Sequence, residues 1–231
     1  MTYRHILILD GSPKNTHSTT TVLSNFLGEK LSGKGMDISR KKIRSALASE
    51  GNMDGLMAQA RASDLIFLIF PLYVDGPPYN VIRAMELMKT HLIDREANSR
   101  KTFMALCQSG MEVHKNRIAL RICECFAKDL GFKSGGTFAL GFGGVLNGAA
   151  LTSLNRLTRN VQQALDLMAD SIAKGRDIPA ETQRLLEKPL MPGPMPVKRF
   201  LFNSAMKSCL DKQSFNKGID QLHSRLRLFF Y

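Results

Sequence analysis

At 231 residues the chain can bury a sizeable core, and its length suits one α/β domain with an appendage better than two full domains. A hydrophobic share of 44% with 23% charged residues is ordinary for a globular protein, and no apolar stretch reaches the roughly 20 residues that span a bilayer. The formal net charge of +12 favours anionic partners, but no nucleic-acid motif and no aromatics interleaved with Arg or Lys accompany it, so no nucleic-acid partner is expected.

The chain runs from Met1 straight into Ile6-Leu7-Ile8-Leu9, which reads as a short strand buried on both faces and not as a signal-peptide core; a cytoplasmic protein is expected. Gly11 and Pro13 end the strand, and Val22, Leu23, Phe26, Leu27 and Leu31 then recur at helical spacing. Strand, loop and helix in that order aim backbone N–H groups and the positive end of a helix dipole at whatever lies above the loop. The loop carries Ser12, Thr16, Ser18, Thr19 and Thr20, with Lys14, Asn15 and His17 beside them. Two readings compete: a hydroxyl that only caps the helix, or a set that binds a phosphate. One cap needs one hydroxyl, and this loop offers five. Neither a G-x-x-x-x-G-K-[ST] loop nor a G-x-G-x-x-G turn is present, so the two common nucleotide loops are excluded.

Further along, residues 36–43 predict a polar strand at a sheet edge, and residues 53–62 a short helix with Leu56, Met57 and Ala60 inward. Leu65-Ile66-Phe67-Leu68-Ile69-Phe70 predicts a central strand covered on both faces. A stiff loop over residues 71–78 leads to a helix with Val81, Met85, Met88 and Leu92 on one side. Residues 102–107 predict another buried strand, closed by Gln108-Ser109-Gly110, and a helix follows with Ile118, Ile122, Phe126 and Leu130 as its apolar side. Residues 135–141 predict a last strand, and a long helix carries Leu151, Leu154, Leu157, Val161, Leu165, Met168 and Ile172.

Alternating strands and helices imply a parallel sheet, whose ligands sit beyond the carboxyl ends of the strands. Three loops emerge there, at residues 11–20, 71–78 and 107–114, all rich in Gly, Pro, hydroxyl or amide groups. Together they suggest a phosphorylated cofactor held by three loops. Cys107, Cys123, Cys125 and Cys209 show no C-x-x-C pair and read as inert thiols, and no metal is expected.

Leu9-Asp10-Gly11-Ser12-Pro13-Lys14 with Ser18-Thr19, followed by residues 62–67 and Pro71-Leu72-Tyr73, resembles the flavodoxin-like NAD(P)H-dependent FMN reductases and quinone reductases over roughly residues 4–175. The resemblance implies a five-stranded parallel sheet in order 2-1-3-4-5, non-covalent FMN and a homodimer. It implies a domain over residues 1–177, followed over 178–231 by a basic C-terminal extension. It also implies FMN contacts at Ser12, Lys14, His17, Ser18, Thr19 and Thr20 for the phosphate end, at Pro71, Leu72, Tyr73 and Val74 along the ring, and at Gln108, Ser109 and Gly110 on its polar edge. Tyr73 has a rival role as an ordinary buried aromatic. Residues 44–63 contain no cysteine, unlike the branch that carries an iron–sulfur cluster, and Thr16-His17 and Met111-Glu112-Val113-His114 replace more glycine-rich turns.

The implied activity passes electrons from NADPH or NADH through FMN to a small-molecule acceptor such as a quinone or nitro compound. The flavin carries that chemistry, so no side chain is catalytic in itself, and His114 is the one candidate proton shuttle. Two alternatives remain: a flavin-binding or electron-transfer module without turnover, and a basic surface or nucleic-acid binder without the cofactor. Residues 174–231 hold eleven Lys and Arg against five Asp and Glu, half of the chain's positive excess. Four prolines within residues 188–196 predict an extended segment, and Phe202, Met206 and Cys209 then mark one apolar side of a packed, lid-forming or partner-binding helix.

Overall fold

The computed structural model describes residues 3–14, 18–110, 112–146, 148–188 and 190. The expectations for Asn15, Thr16, His17, Met111, the segment beyond residue 190 and Cys209 lie outside the described residues. The described residues up to Leu190 form one compact unit.

Five strands, β1 (His5–Asp10), β2 (Asp37–Lys42), β3 (Leu65–Pro71), β4 (Thr102–Gln108) and β5 (Lys133–Leu140), form one parallel sheet in the order β2-β1-β3-β4-β5. This is the expected order, with polar β2 at an edge and fully buried β3 in the centre. Side chains alternate between two cores because successive residues of a strand point to opposite faces. Leu7, Leu9, Ile66, Leu68 and Phe70 join one core; Ile6, Ile8, Leu65, Phe67 and Ile69 join the other.

On the first face lie α2 (Ile43–Ala46), α3 (Glu50–Ala62), α4 (Tyr79–His91) and α6 (Arg117–Leu130), whose buried residues belong to that core. On the second lie α1 (Thr19–Ser32), α7 (Asn155–Ala173) and α8 (Ala180–Glu187). Leu185 and Leu186 of α8 pack into the second core. A short helix, α5 (Arg95–Asn98), precedes β4.

At the amino end of the sheet Asp64 ties β1 to β3. Its carboxylate accepts the N–H groups of Arg4 and His5 at 2.8 and 2.9 Å. Partial burial pushes this carboxyl up, but those two N–H groups, with help from His5 and Lys101, hold it below its ordinary value.

The apolar side predicted for α6 needs correcting. Its inner face is Ala119, Leu120, Cys123, Phe126, Ala127 and Leu130, whereas Ile118 is 60% exposed and Ile122 36% exposed. The helix is turned so that Phe126 meets Phe103 edge-on, with ring centroids 5.4 Å apart, and this places both isoleucines on the surface. Leu157 is likewise outside, on α7.

Candidate functional site

Four loops leave the carboxyl end of the sheet, one more than expected, and hydrogen bonds join them into a closed ring. The Asn80 amide donates to the Gly11 carbonyl at 3.1 Å, linking the first loop to the start of α4. Leu72 N–H donates to Gln108 O at 2.8 Å, linking the loops after β3 and β4. Gly143 N–H donates to Ser109 O at 2.8 Å, bringing in the loop after β5. Thr19 Oγ1 donates to Gly143 O at 2.8 Å and closes the circuit at the first turn of α1.

Gly11 sits where no side chain fits. A Cβ there would lie 2.6 Å from Val81 Cγ2 and 2.7 Å from Phe70 Cβ, while its N–H donates to Ile69 O at 2.8 Å. Its glycine serves the close approach of β1, β3 and α4.

Within the opening loop the hydroxyls have unequal freedom. Ser18 is the N-cap of α1 and accepts Thr21 N–H at 3.1 Å. Thr21 Oγ1 donates to Asp10 Oδ2 at 2.6 Å, and Ser18 Oγ lies 2.9 Å from Thr21 Oγ1. Ser12 is buried, donates its N–H to Asp10 Oδ1 at 2.9 Å, and accepts Lys14 N–H at 3.2 Å, leaving its own hydroxyl hydrogen uncommitted among these bonds. The Lys14 side chain is exposed. Thr20 is 1% exposed and its Oγ1 has no hydrogen-bond partner among the described residues.

The ring contains three of the six buried side-chain polar atoms found without a partner among the described residues: Thr20 Oγ1, Asn80 Oδ1 and Gln108 Oε1. Buried polar atoms are normally satisfied, and half of those left unpartnered among the described residues lie in this ring. Gln108 lies against Gly143, where a Cβ would stand 2.2 Å from Gln108 Oε1.

Beside these groups Pro71 is buried, Leu72 half-buried, Tyr73 46% exposed and Val74 fully exposed. Tyr73 and Gly76 exchange two backbone hydrogen bonds, of 2.9 and 3.0 Å, around Val74 at φ 47° and Asp75 at φ 62°. Two central residues of positive φ mark a type I′ turn, which normally takes Asn or Gly; a β-branched valine there is strained. Partial burial raises the pKa of the Tyr73 phenol, which keeps it a neutral O–H.

Ser109 is buried, with its hydroxyl donating to Glu112 O at 3.2 Å, and Gly110 is half-buried next to it. His114 is exposed, 3.5 Å from the Glu112 carboxylate. It lines a groove of about 880 Å³ between α4 and α6, on the flank of the ring, together with Asp75, Ile82, Met85, Ile118 and Ile122.

Sequence reasoning missed Asp10, Thr21, Asn80 and Gly143. Asp10 is the one acid of the opening segment, which was its available signal; the other three act only through contacts that the fold creates. Among the described residues no cluster of His, Cys, Asp and Glu is grouped to hold a metal ion, and no helix is long and apolar enough to cross a membrane. Burial raises the Cys107 thiol far above its ordinary range and pushes Cys123 up to about 12, so both are inert; Cys125 is exposed.

No protein-family model matches the chain, and no curated protein matches it significantly. Solved structures do match. The Trp repressor binding protein from Bacillus subtilis superposes with a TM-score of 0.53 at 12% identity, over 70% of this chain and 95% of that one. A flavone reductase gives 0.51 at 14% identity over 96% and 97% of the two chains. An FMN-dependent NADH-azoreductase from Bacillus anthracis, in complex with FMN, gives 0.51 at 13% identity over 74% and 100%. With the strand order and the crossovers, these matches show a flavodoxin-like fold.

Proposed function

We propose that this chain is an FMN-dependent NAD(P)H oxidoreductase that reduces a quinone, nitro compound or similar small acceptor. The observation that carries the reading is the hydrogen-bonded ring of four loops with its three unpartnered buried polar atoms. FMN, with phosphate oxygens that accept and a ring N–H that donates, fits that mixed polar set. The Ser12 and Thr20 hydroxyls and the N–H groups at the start of α1 would take the phosphate, and Gln108 Oε1 offers the acceptor that the flavin's N3–H requires. Pro71, Leu72, Tyr73 and Val74 would flank the ring, and Ser109 and Gly110 border its polar edge. Ser18 and Thr19 act one step back, by shaping the loop.

When bound, FMN supplies hydride and electron transfer, and the chain's part is to hold and orient it. His114 is exposed beside the Glu112 carboxylate, so we assign it no step. The names of similar proteins, a flavone reductase and an FMN-dependent NADH-azoreductase, support flavin chemistry in this fold. We further read the protein as a cytoplasmic homodimer that meets its partner copy along the α4–α6 groove. Its lining sets exposed Ile118 and Ile122 among charges of both signs on both helices, with Lys89 of α4 paired to Asp129 of α6 within one chain.

The test is steady-state oxidation of NADPH or NADH with added FMN and a soluble quinone. Sustained turnover supports the reading. FMN uptake with only stoichiometric reduction would make the protein a carrier, and absence of FMN uptake would overturn the reading.

A further inference from the structure

The hydrogens of the opening loop can be followed one at a time. As a carboxylate, Asp10 only accepts, so the hydrogen of Thr21 Oγ1 goes to Asp10 Oδ2, 2.6 Å away. The contact between Ser18 Oγ and Thr21 Oγ1 then requires Ser18 to donate, because Thr21 has no second hydrogen. Ser18 in turn accepts Thr21 N–H. The Thr19 hydroxyl hydrogen is committed to Gly143 O and the Ser12 N–H to Asp10 Oδ1. Five donors of an apparent anion loop are therefore engaged within the protein, four of them in a network ending on one carboxylate.

That carboxylate is 5% exposed and ends β1, beneath the loop. Lys42 stands in register with Asp10 across β1 and β2, and Arg44 donates to Pro13 O at 2.8 Å. Without Asp10 the first turn of α1 and the loop hydroxyls would favour a phosphate. With Asp10, a buried negative charge already takes the part of the anion.

We propose that Asp10 is the specificity determinant of this loop, an internal carboxylate that competes with a phosphate dianion for the loop's donors and lowers its affinity. The inference rests on the reading that this loop receives the phosphate end of a cofactor, and it makes that grip weak by construction. Asp10→Asn is the informative change. Its amide oxygen still accepts Ser12 N–H and its NH₂ can donate to Thr21 Oγ1, so both contacts survive while the charge is removed and the Thr21 hydrogen is released toward the ligand.

The experiment measures inorganic phosphate binding to the full chain by its effect on thermal unfolding, for wild type, D10N and D10S, the second uncharged variant guarding against a folding defect in the first. Phosphate affinity rises about tenfold or more in a folded uncharged variant if Asp10 competes with the dianion. FMN tightens in parallel, and riboflavin, which lacks the phosphate, does not. A merely structural role for Asp10 would weaken all three ligands or leave them unchanged, and either result overturns the proposal. If phosphate tightens but no variant binds FMN, the assignment to Asp10 stands and the FMN reading falls.

Discussion

Thr19 Oγ1 donates to the carbonyl of Gly143 across 2.8 Å and 124 residues of sequence, fixing the first turn of α1 to the loop after β5. The contact is buried, so removing the hydroxyl leaves a buried carbonyl unsatisfied. Thr19→Val keeps the shape and is expected to cost about 1–3 kcal/mol in urea unfolding. The same variant weakens FMN binding by opening the ring at its closure.

Val74 predicts the opposite sign. Its side chain is fully exposed, so replacing it loses no packing, while its φ of 47° is one that asparagine tolerates far better than valine. Val74→Asn is expected to stabilise the chain by about 1 kcal/mol and raise the unfolding temperature by about 2–4 °C. A gain in stability with a loss of flavin affinity would identify the strained valine as a functional contact.

Ile118 tests the proposed subunit contact. It is 60% exposed beside the groove, so a charge there disturbs no core. Wild type is expected to sediment as a dimer and Ile118→Glu as a monomer with an unchanged unfolding temperature at low concentration. A monomeric wild type would remove the groove from the subunit contact.

Asp64 sets an acid dependence. Its carboxyl is held below the ordinary value of 3.8 in the folded chain, so its contribution is complete above about pH 4 and is lost as pH falls through the lower native value. Asp64→Asn is expected to be less stable than wild type at neutral pH, with the difference shrinking as pH falls below about 4. Unfolding curves at several acid pH values check the sign.

Much of the fold was legible because burial left a pattern in the sequence. The six apolar residues Leu65–Phe70 could only be a doubly covered strand, and the polar β2 only an edge. Ile118 and Ile122 misled because helical periodicity marks an apolar stripe without saying whether it meets the core or another surface. In the candidate site, hydroxyls counted along the loop gave an inflated number of free donors. Thr21 reaches Asp10 only after the helix turns back over the strand end, and Thr19 meets Gly143 only after β5 is laid down, so neither partnership has a signature in local sequence.

The central claim is that the ring of loops holds FMN, and equilibrium titration of the wild-type chain with FMN, followed by quenching of flavin fluorescence, tests it most directly. The account predicts saturable binding of one FMN per chain, weaker for riboflavin, with the bound flavin bleached by anaerobic NADPH or NADH. Fluorescence unchanged at saturating protein would contradict it.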